Sequence, residues 1–204
     1  MQMTLHRCYI NTFCLLVLCF FLGSTATLSA QTKKYRRYDS TLKLNKAGYH
    51  LYSNNKLDDN NEVTISPIGF DNGAREMSFI IKGRLVLAEV DDLNNDGFPD
   101  VVMYAKSSAP NEKGYLYAIS SEENRSFRPI AFPDITDDAK LSKGYRGHDE
   151  FSLLETTLMR KFPIYSDTDS TNQGPIGKRV VQYRLVNKEG RLTFIVLRSY
   201  EAKQ

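Results

Sequence analysis

The residues best suited to do chemistry lie in one short acidic loop, at positions 92 to 100. Oxygen-bearing side chains occupy its first, third, fifth and ninth positions, and a glycine occupies the sixth. Calcium loops use this spacing because alternate side chains converge on one centre, the glycine allows a sharp turn, and the seventh carbonyl completes the ligand set. The candidate calcium ligands are Asp92, Asn94, Asp96, the Phe98 carbonyl and Asp100.

Two interpretations of this acidic loop are open. Its carboxylates repel one another, and a bound calcium ion would relieve that repulsion. Alternatively, Asn95-Asp96-Gly97 is a plain hairpin turn between two strands, where Asp-Gly is favoured without any ion. Calcium is the only cofactor that the sequence suggests.

The motif Gly147-His148-Asp149-Glu150 is the natural place to look for acid–base catalysis. Adjacent residues on a strand face opposite sides, so these polar side chains do not converge without a bulge or a turn. The chain has no nucleophile elbow, zinc spacing, phosphate loop or dinucleotide motif. We therefore expect His148 and Asp149 to form a structural hydrogen-bond network that ties a loop to the sheet, and we predict that the protein is not an enzyme.

A second loop, at positions 107 to 115, lies between two predicted strands and is rich in hydroxyl groups and lysine. Such a loop could present hydrogen-bond donors to an acidic cleft, although most hairpin loops of this composition only connect their strands. The residues that would make the contact are Ser107, Ser108, Lys113, Gly114 and Tyr115.

The first thirty residues have the order of a secretory signal peptide. His6 and Arg7 precede an apolar run at positions 13–22, and small residues follow it up to Ala30. The run is about half of the roughly 20 residues that a membrane-spanning helix needs, which favours cleavage over anchoring. Cleavage after Ala30 fits best and cleavage after Ala26 stays open. We expect a periplasmic or secreted protein without a membrane anchor.

The cysteine and charge content narrows the function classes. Cys8, Cys14 and Cys19 all lie in the signal segment, so the cleaved chain would have no disulfide and no thiolate metal site. The chain has 27 Lys and Arg against 24 Asp and Glu. Loss of Arg7 with the signal would leave 26 basic residues and a net charge of about +2, which does not indicate nucleic-acid binding.

Short apolar and β-branched runs recur along the remaining chain, separated by Gly, Asn, Asp and Pro. This pattern predicts an all-β, antiparallel sandwich of eight or more strands with at most one short helix. After a flexible leader at 31–37, a single domain is expected at 38–204. The helix or 3₁₀ turn would span 135–143, with Thr136 as its cap. The predicted strands are 38–44, 49–53, 62–67, 77–81, 84–91, 100–105, 115–120, 127–130, 151–155, 157–163, 179–186 and 192–200.

The sequence resembles the periplasmic inhibitors of I-type (invertebrate) lysozyme, taken broadly with their bacterial relatives. The resemblance implies an exported β-sandwich that binds a host lysozyme of the I-type or a related class and blocks its cleft with an inserting loop. That loop corresponds to positions 107–115. The blocks that carry the resemblance are Ala88-Glu89-Val90-x-Asp92-Leu93-Asn94-x-Asp96-Gly97-x-Pro99, Lys143-Gly144-Tyr145-x-Gly147-His148-Asp149-Glu150-Phe151, Arg160-x-Phe162-Pro163-Ile164-Tyr165 and Gln182-Tyr183-x-Leu185.

The inserting loop departs from the family pattern, which has a Ser-Gly-x-Tyr element. Pro110-Asn111-Glu112-Lys113 stands in its place, and Tyr115 follows Gly114. The class of lysozyme is therefore open, and so is the choice between a monomer and a homodimer. The alternative function is a calcium-stabilised β module that binds a glycan or a partner protein without inhibiting an enzyme.

Overall fold

The computed structural model describes residues 37–71, 73–108, 110–168 and 174–202. The predicted signal peptide (1–30) and all but the last residue of the predicted leader (31–37) lie outside the described residues. No helix in the described ranges is long and apolar enough to cross a membrane.

The described residues form twelve strands and one 3₁₀ turn, and all twelve predicted strands are present. The strands are β1 Tyr38–Leu44, β2 Ala47–Ser53, β3 Asn61–Ile68, β4 Met77–Ile81, β5 Arg84–Asp91, β6 Asp100–Lys106, β7 Gly114–Glu122, β8 Ser126–Ile130, β9 Glu150–Leu154, β10 Thr157–Ile164, β11 Gly177–Lys188 and β12 Arg191–Ala202.

The strands make three antiparallel sheets of four consecutive strands each. We call them the first sheet (β1–β4), the middle sheet (β5–β8) and the third sheet (β9–β12). Some neighbouring strands are joined by short turns, as in the β11–β12 hairpin, where Glu189 (φ 51°) and Gly190 (φ 81°) make a two-residue turn. The prediction of an all-β antiparallel sandwich is confirmed.

The middle sheet is buried on both faces at β6, and the two cores on either side of it make the sandwich three layers deep. Every residue of β6 up to Ala105 is buried. Because side chains alternate along a strand, Val101 and Met103 pack with the first sheet, while Val102 and Tyr104 pack with the third. A continuous apolar strand is what a sheet covered on both sides requires.

One edge of the middle sheet is joined to the third sheet. Ala131, directly after β8, forms a parallel bridge with Thr193 of β12. The Ala131 N–H donates to the Leu192 carbonyl at 2.9 Å, and the Ala131 carbonyl accepts from the Phe194 N–H at 2.9 Å. This junction brings the start of β8 beside the β11–β12 hairpin.

The helical element is shorter than predicted. Only Ile135–Asp137 forms a 3₁₀ turn, and its cap is Asp134 rather than Thr136. The Asp134 carboxylate accepts from both the N–H (3.0 Å) and the hydroxyl (2.9 Å) of Thr136. Asp138 then accepts from the Lys140 N–H at 2.8 Å, and this local bond starts a new turn instead of continuing a helix.

Candidate functional site

The β6–β7 loop (residues 107–113) is closed at its base by its own hydrogen bonds. The Ser107 N–H donates to the Lys113 carbonyl at 2.9 Å. The Lys113 N–H donates to the Ser107 hydroxyl oxygen, also at 2.9 Å. The Ser107 hydroxyl therefore acts as an acceptor here, and its own proton has no acceptor among the residues that the structure describes.

One side of this loop is held by a buried arginine. Arg84 is 6% exposed, and its guanidinium donates to the Ser108 hydroxyl and, at 2.5 Å, to the Asp58 carboxylate. Its Nε also donates to the Asn55 carbonyl at 3.1 Å. Ser108 thus serves the packing of the loop against the segment that follows β2.

The other side of the loop is held by the segment that precedes β9. The Asn111 carbonyl accepts from the His148 backbone N–H at 2.9 Å. Gly147 makes this approach feasible, since its φ is +92° and a Cβ there would lie 2.0 Å from the Asn111 oxygen. His148 contributes through its backbone, with φ +59°, while its side chain is exposed.

Lys113 is paired within the free protein. Its Nζ lies 3.2 Å from the Asp134 carboxylate and 5.6 Å from the centre of the Tyr115 ring. Burial alone would raise the pKa of Asp134, but the two donors of Thr136 and the Lys113 ammonium outweigh it and lower that pKa to about 2. The Lys113 ammonium, which is expected to reach an acidic cleft, therefore already forms an ion pair with Asp134.

Asp149 is the centre of a buried polar cluster under the loop. It is fully buried, and its Oδ2 accepts from the Gly114 N–H at 2.7 Å and the Tyr145 hydroxyl at 2.6 Å. Its Oδ1 accepts from Nε of Arg160 at 2.7 Å, and Arg160 is 2% exposed. The Arg160 guanidinium lies 5.3 Å from the Tyr145 ring and from the Phe151 ring.

Gly114 is required by this cluster. A Cβ at this position would lie 2.6 Å from the Asp149 Cβ and 2.7 Å from Cε2 of Phe151. Gly114 is therefore the residue that lets the first N–H of β7 reach the buried carboxylate. Of the expected contact residues, Ser107, Ser108, Lys113 and Gly114 all have internal contacts, and Tyr115 is half-buried.

Sequence reasoning missed Arg160 as a member of this site, although a signal was present. Arg160 lies on β10 between Leu158 and Phe162, which are buried on the same face. An arginine in the register of buried apolar residues needs a buried acceptor. That pattern indicates an internal ion pair, and Asp149 is its partner.

In the acidic loop, side-chain carboxylates accept hydrogen bonds from backbone N–H groups of the same loop. The Asp92 carboxylate accepts from the N–H groups of Asp96 (2.9 Å) and Gly97 (2.8 Å). Asp96 accepts from the Phe98 N–H at 2.9 Å, and the Asn94 amide donates to Asp96 at 2.7 Å. The five candidate ligands do share one loop, but their oxygens are largely directed at main-chain donors.

Asp100 is the buried end of this loop. It is fully buried and accepts from the N–H groups of Leu93 (2.9 Å) and Ser121 (3.2 Å). Burial is the main cause that raises its pKa to about 6; hydrogen bonds oppose the rise and the nearby Asp96 charge adds to it. Within the described ranges, no group of three or more His, Cys, Asp or Glu side chains is placed to hold a metal ion.

The Asp149 cluster makes a stability prediction. Asp149→Asn removes the charge that compensates the buried Arg160, so the free energy of unfolding should fall by about 3 to 5 kcal/mol. Urea unfolding at neutral pH measures it. Glu150→Gln, which changes the adjacent exposed carboxylate, is the matched control and should stay near wild type. A loss no larger than that of the control would show that the cluster does not support the fold.

The Asp134 cap makes a pH prediction. Because its folded pKa is lowered from 3.8 to about 2, its stabilisation is complete above pH 3.8 and is lost as the pH falls towards 2. The wild type should therefore exceed Asp134→Asn in stability at neutral pH, and the difference should shrink between pH 4 and pH 2. Chemical unfolding across this range measures the difference. Asp137→Asn, in the same turn, should show no such convergence.

Comparison of the chain with protein-family models, with curated proteins and with solved structures gave no match.

Proposed function

We propose that this protein is an exported, non-enzymatic inhibitor that binds a lysozyme through its β6–β7 loop and blocks the active-site cleft. The observation that carries the proposal is the anchoring of this loop at its base and on both sides. Arg84 holds Ser108, His148 holds Asn111, and Asp149 holds Gly114. A loop fixed before binding loses less conformational entropy when it enters a cleft.

The tip of the loop is the part available to enter a cleft. Pro110 and Asn111 are exposed, whereas Ser108 and Glu112 are partly buried. A glycosidase cleft contains two carboxylates, one acid and one nucleophile or base. The Ser107 hydroxyl proton and the Lys113 ammonium are donors near the base of the tip. Lys113 would exchange its Asp134 partner for a carboxylate of the enzyme.

The contacts of the motif at 147–150 support a non-catalytic role. The Asp149 carboxylate is fully buried and bound to Arg160, so it cannot approach a substrate. The His148 side chain is exposed and makes no hydrogen bond to any other residue that the structure describes. General acid–base catalysis needs a base within hydrogen-bond reach of its partner groups.

Export to the periplasm or the medium remains part of this proposal, since a lysozyme acts on the cell wall outside the cytoplasm. The proposed partner is a host lysozyme of the I-type or a related class. The substituted tip, Pro110 to Lys113, leaves the class to be decided by experiment.

Inhibition is the direct test. The purified protein should lower the lysis of cell-wall suspensions by at least one class of lysozyme. Lys113→Ala and Tyr115→Ala should each weaken the inhibition by about tenfold, or about 1.4 kcal/mol of binding free energy. Lys188→Ala, an equal loss of charge at the far end of the β11–β12 hairpin, should leave it unchanged. No inhibition across the lysozyme classes would discard the proposal.

A second candidate function is a calcium-stabilised module that binds a glycan or a partner protein. The observation that favours it is the proximity of Asp96 to the buried Asp100, whose pKa is raised in part by that charge. A divalent cation would relieve this repulsion. It would also have to compete with the backbone N–H groups that Asp92 and Asp96 already bind.

Calcium-dependent stability tests the second candidate. If the loop binds the ion, the melting temperature should be higher with calcium than with a chelator, because the ion stabilises only the folded state. Asp92→Asn should abolish that difference. Asp91→Asn, one position earlier and outside the ligand set, should preserve it. Equal melting temperatures with calcium and with chelator would remove calcium from the function.

A further inference from the structure

A cavity of about 640 Å³ opens at the end of the middle sheet that is opposite to the β6–β7 loop. Three segments line it: the acidic loop at 93–96, the end of β7 with the start of β8 at 120–128, and the β11–β12 hairpin. The parallel bridge at Ala131 brings the last two segments together. The volume lies in the range of sites that bind small molecules.

The cavity has one apolar wall and one polar wall. The apolar wall consists of Leu185 and Leu192, which share one face of the β11–β12 hairpin, and Leu93 adds to it from the acidic loop. Leu93 and Leu192 also belong to the core between the middle and third sheets, which makes this wall firm. The polar wall carries carboxamides, hydroxyls and paired charges.

Unused hydrogen-bonding groups are present on all three segments that line the cavity. The side chains of Asn95 and Asn187 are exposed and have no hydrogen-bond partner among the residues that the structure describes. Arg128 pairs with Glu122 through one terminal nitrogen. Its Nε and other terminal nitrogen have no acceptor in the described part of the chain, so they can donate to a ligand.

The charged side chains that line the cavity are Asp96, Glu122 and Glu123 against Arg125 and Arg128, a net charge of −1. Glu122 accepts from Arg128 and, at 2.5 Å, from the Ser126 hydroxyl, and both bonds lower its pKa. Arg125 lies 3.1 Å from the Glu123 carboxylate and 3.7 Å from that of Asp71. Each arginine is thus already paired with a carboxylate, and the cavity offers no net positive site for an anion.

We propose that this cavity binds a short neutral saccharide. A sugar ring has an apolar C–H face and a rim of hydroxyl groups, each both a donor and an acceptor. The wall of Leu185, Leu192 and Leu93 suits the first, and the free groups of Asn95, Asn187 and Arg128 suit the second. Carboxamide and guanidinium groups are planar and can bind two neighbouring hydroxyls at once.

This site is separate from the proposed lysozyme-binding loop. The two lie at opposite ends of the seven-residue strand β6, which spans about 20 Å. Saccharide binding does not rest on the lysozyme proposal; it specifies the glycan of the second candidate function, but it needs no calcium ion, so each of the three can fail alone.

Titration of the ¹⁵N-labelled protein with cellotriose and with triacetylchitotriose, followed by amide NMR shifts, tests the proposal. At least one trisaccharide should shift amides around the cavity, at 93–96, 120–128 and 185–192, with a dissociation constant of about 1 mM. Inorganic phosphate serves as the anionic probe and should leave these amides unshifted.

The variant removes the two free carboxamides. Because Asn95 has φ +57°, it is changed to glycine, and Asn187 is changed to alanine. The double variant should weaken binding by at least about tenfold. The matched control changes Asn45, also exposed with φ +57°, to glycine and the exposed Asn54 to alanine, and should bind as the wild type does.

Three results would overturn the proposal: no shift with either trisaccharide, binding that the double variant retains, or shifts with phosphate alone. Amide spectra of the unliganded variants show directly whether each is folded. If the double variant were unfolded, Asn187→Ala alone, in the exposed hairpin, would carry the same comparison.

Discussion

The ion pair between Asp149 and Arg160, closed off from water, is the interaction on which the candidate site depends. A buried carboxylate is tolerated only when donors surround it, and here Arg160, Tyr145 and the Gly114 N–H supply them. These donors come from β10, from the segment before β9 and from the first residue of β7. One charge therefore fixes the base of the β6–β7 loop relative to the third sheet.

The middle sheet separates two loops that could bind different partners, one at each end of β6. Because β6 is apolar on both faces, its register against its neighbours is determined by packing on two sides. The anchored β6–β7 loop lies at one end of β6, and the acidic loop lies at the other. Asp100 secures the second end, since it binds Leu93 and Ser121 across two segments. In both loops, most of the polar side chains that suggest a function form internal hydrogen bonds that fix the loop conformation.

These internal hydrogen bonds and ion pairs affect how the protein could recognise a partner. Lys113, Ser108 and Asp92 have internal partners, so any ligand must compete with bonds that already exist, and selectivity will depend on geometry more than on charge. The side chains of Asn95 and Asn187 have no such commitments among the described residues. Free groups beside a firm apolar wall are therefore better indicators of a binding site here than the conspicuous acidic motif.

The sequence alone determined the local structure: strands such as β1, β4 and β5 had the predicted bounds, and the turn before β12 lay where Asn187 to Gly190 indicated it. These features depend on alternation and turn residues within a few positions. Tertiary structure alone decided that the sandwich has three layers, that Arg160 compensates Asp149, that Lys113 pairs with Asp134, and that a cavity forms beside β8. Each of these depends on segments far apart in the chain, and a period-two pattern shows which face is buried but not what covers it.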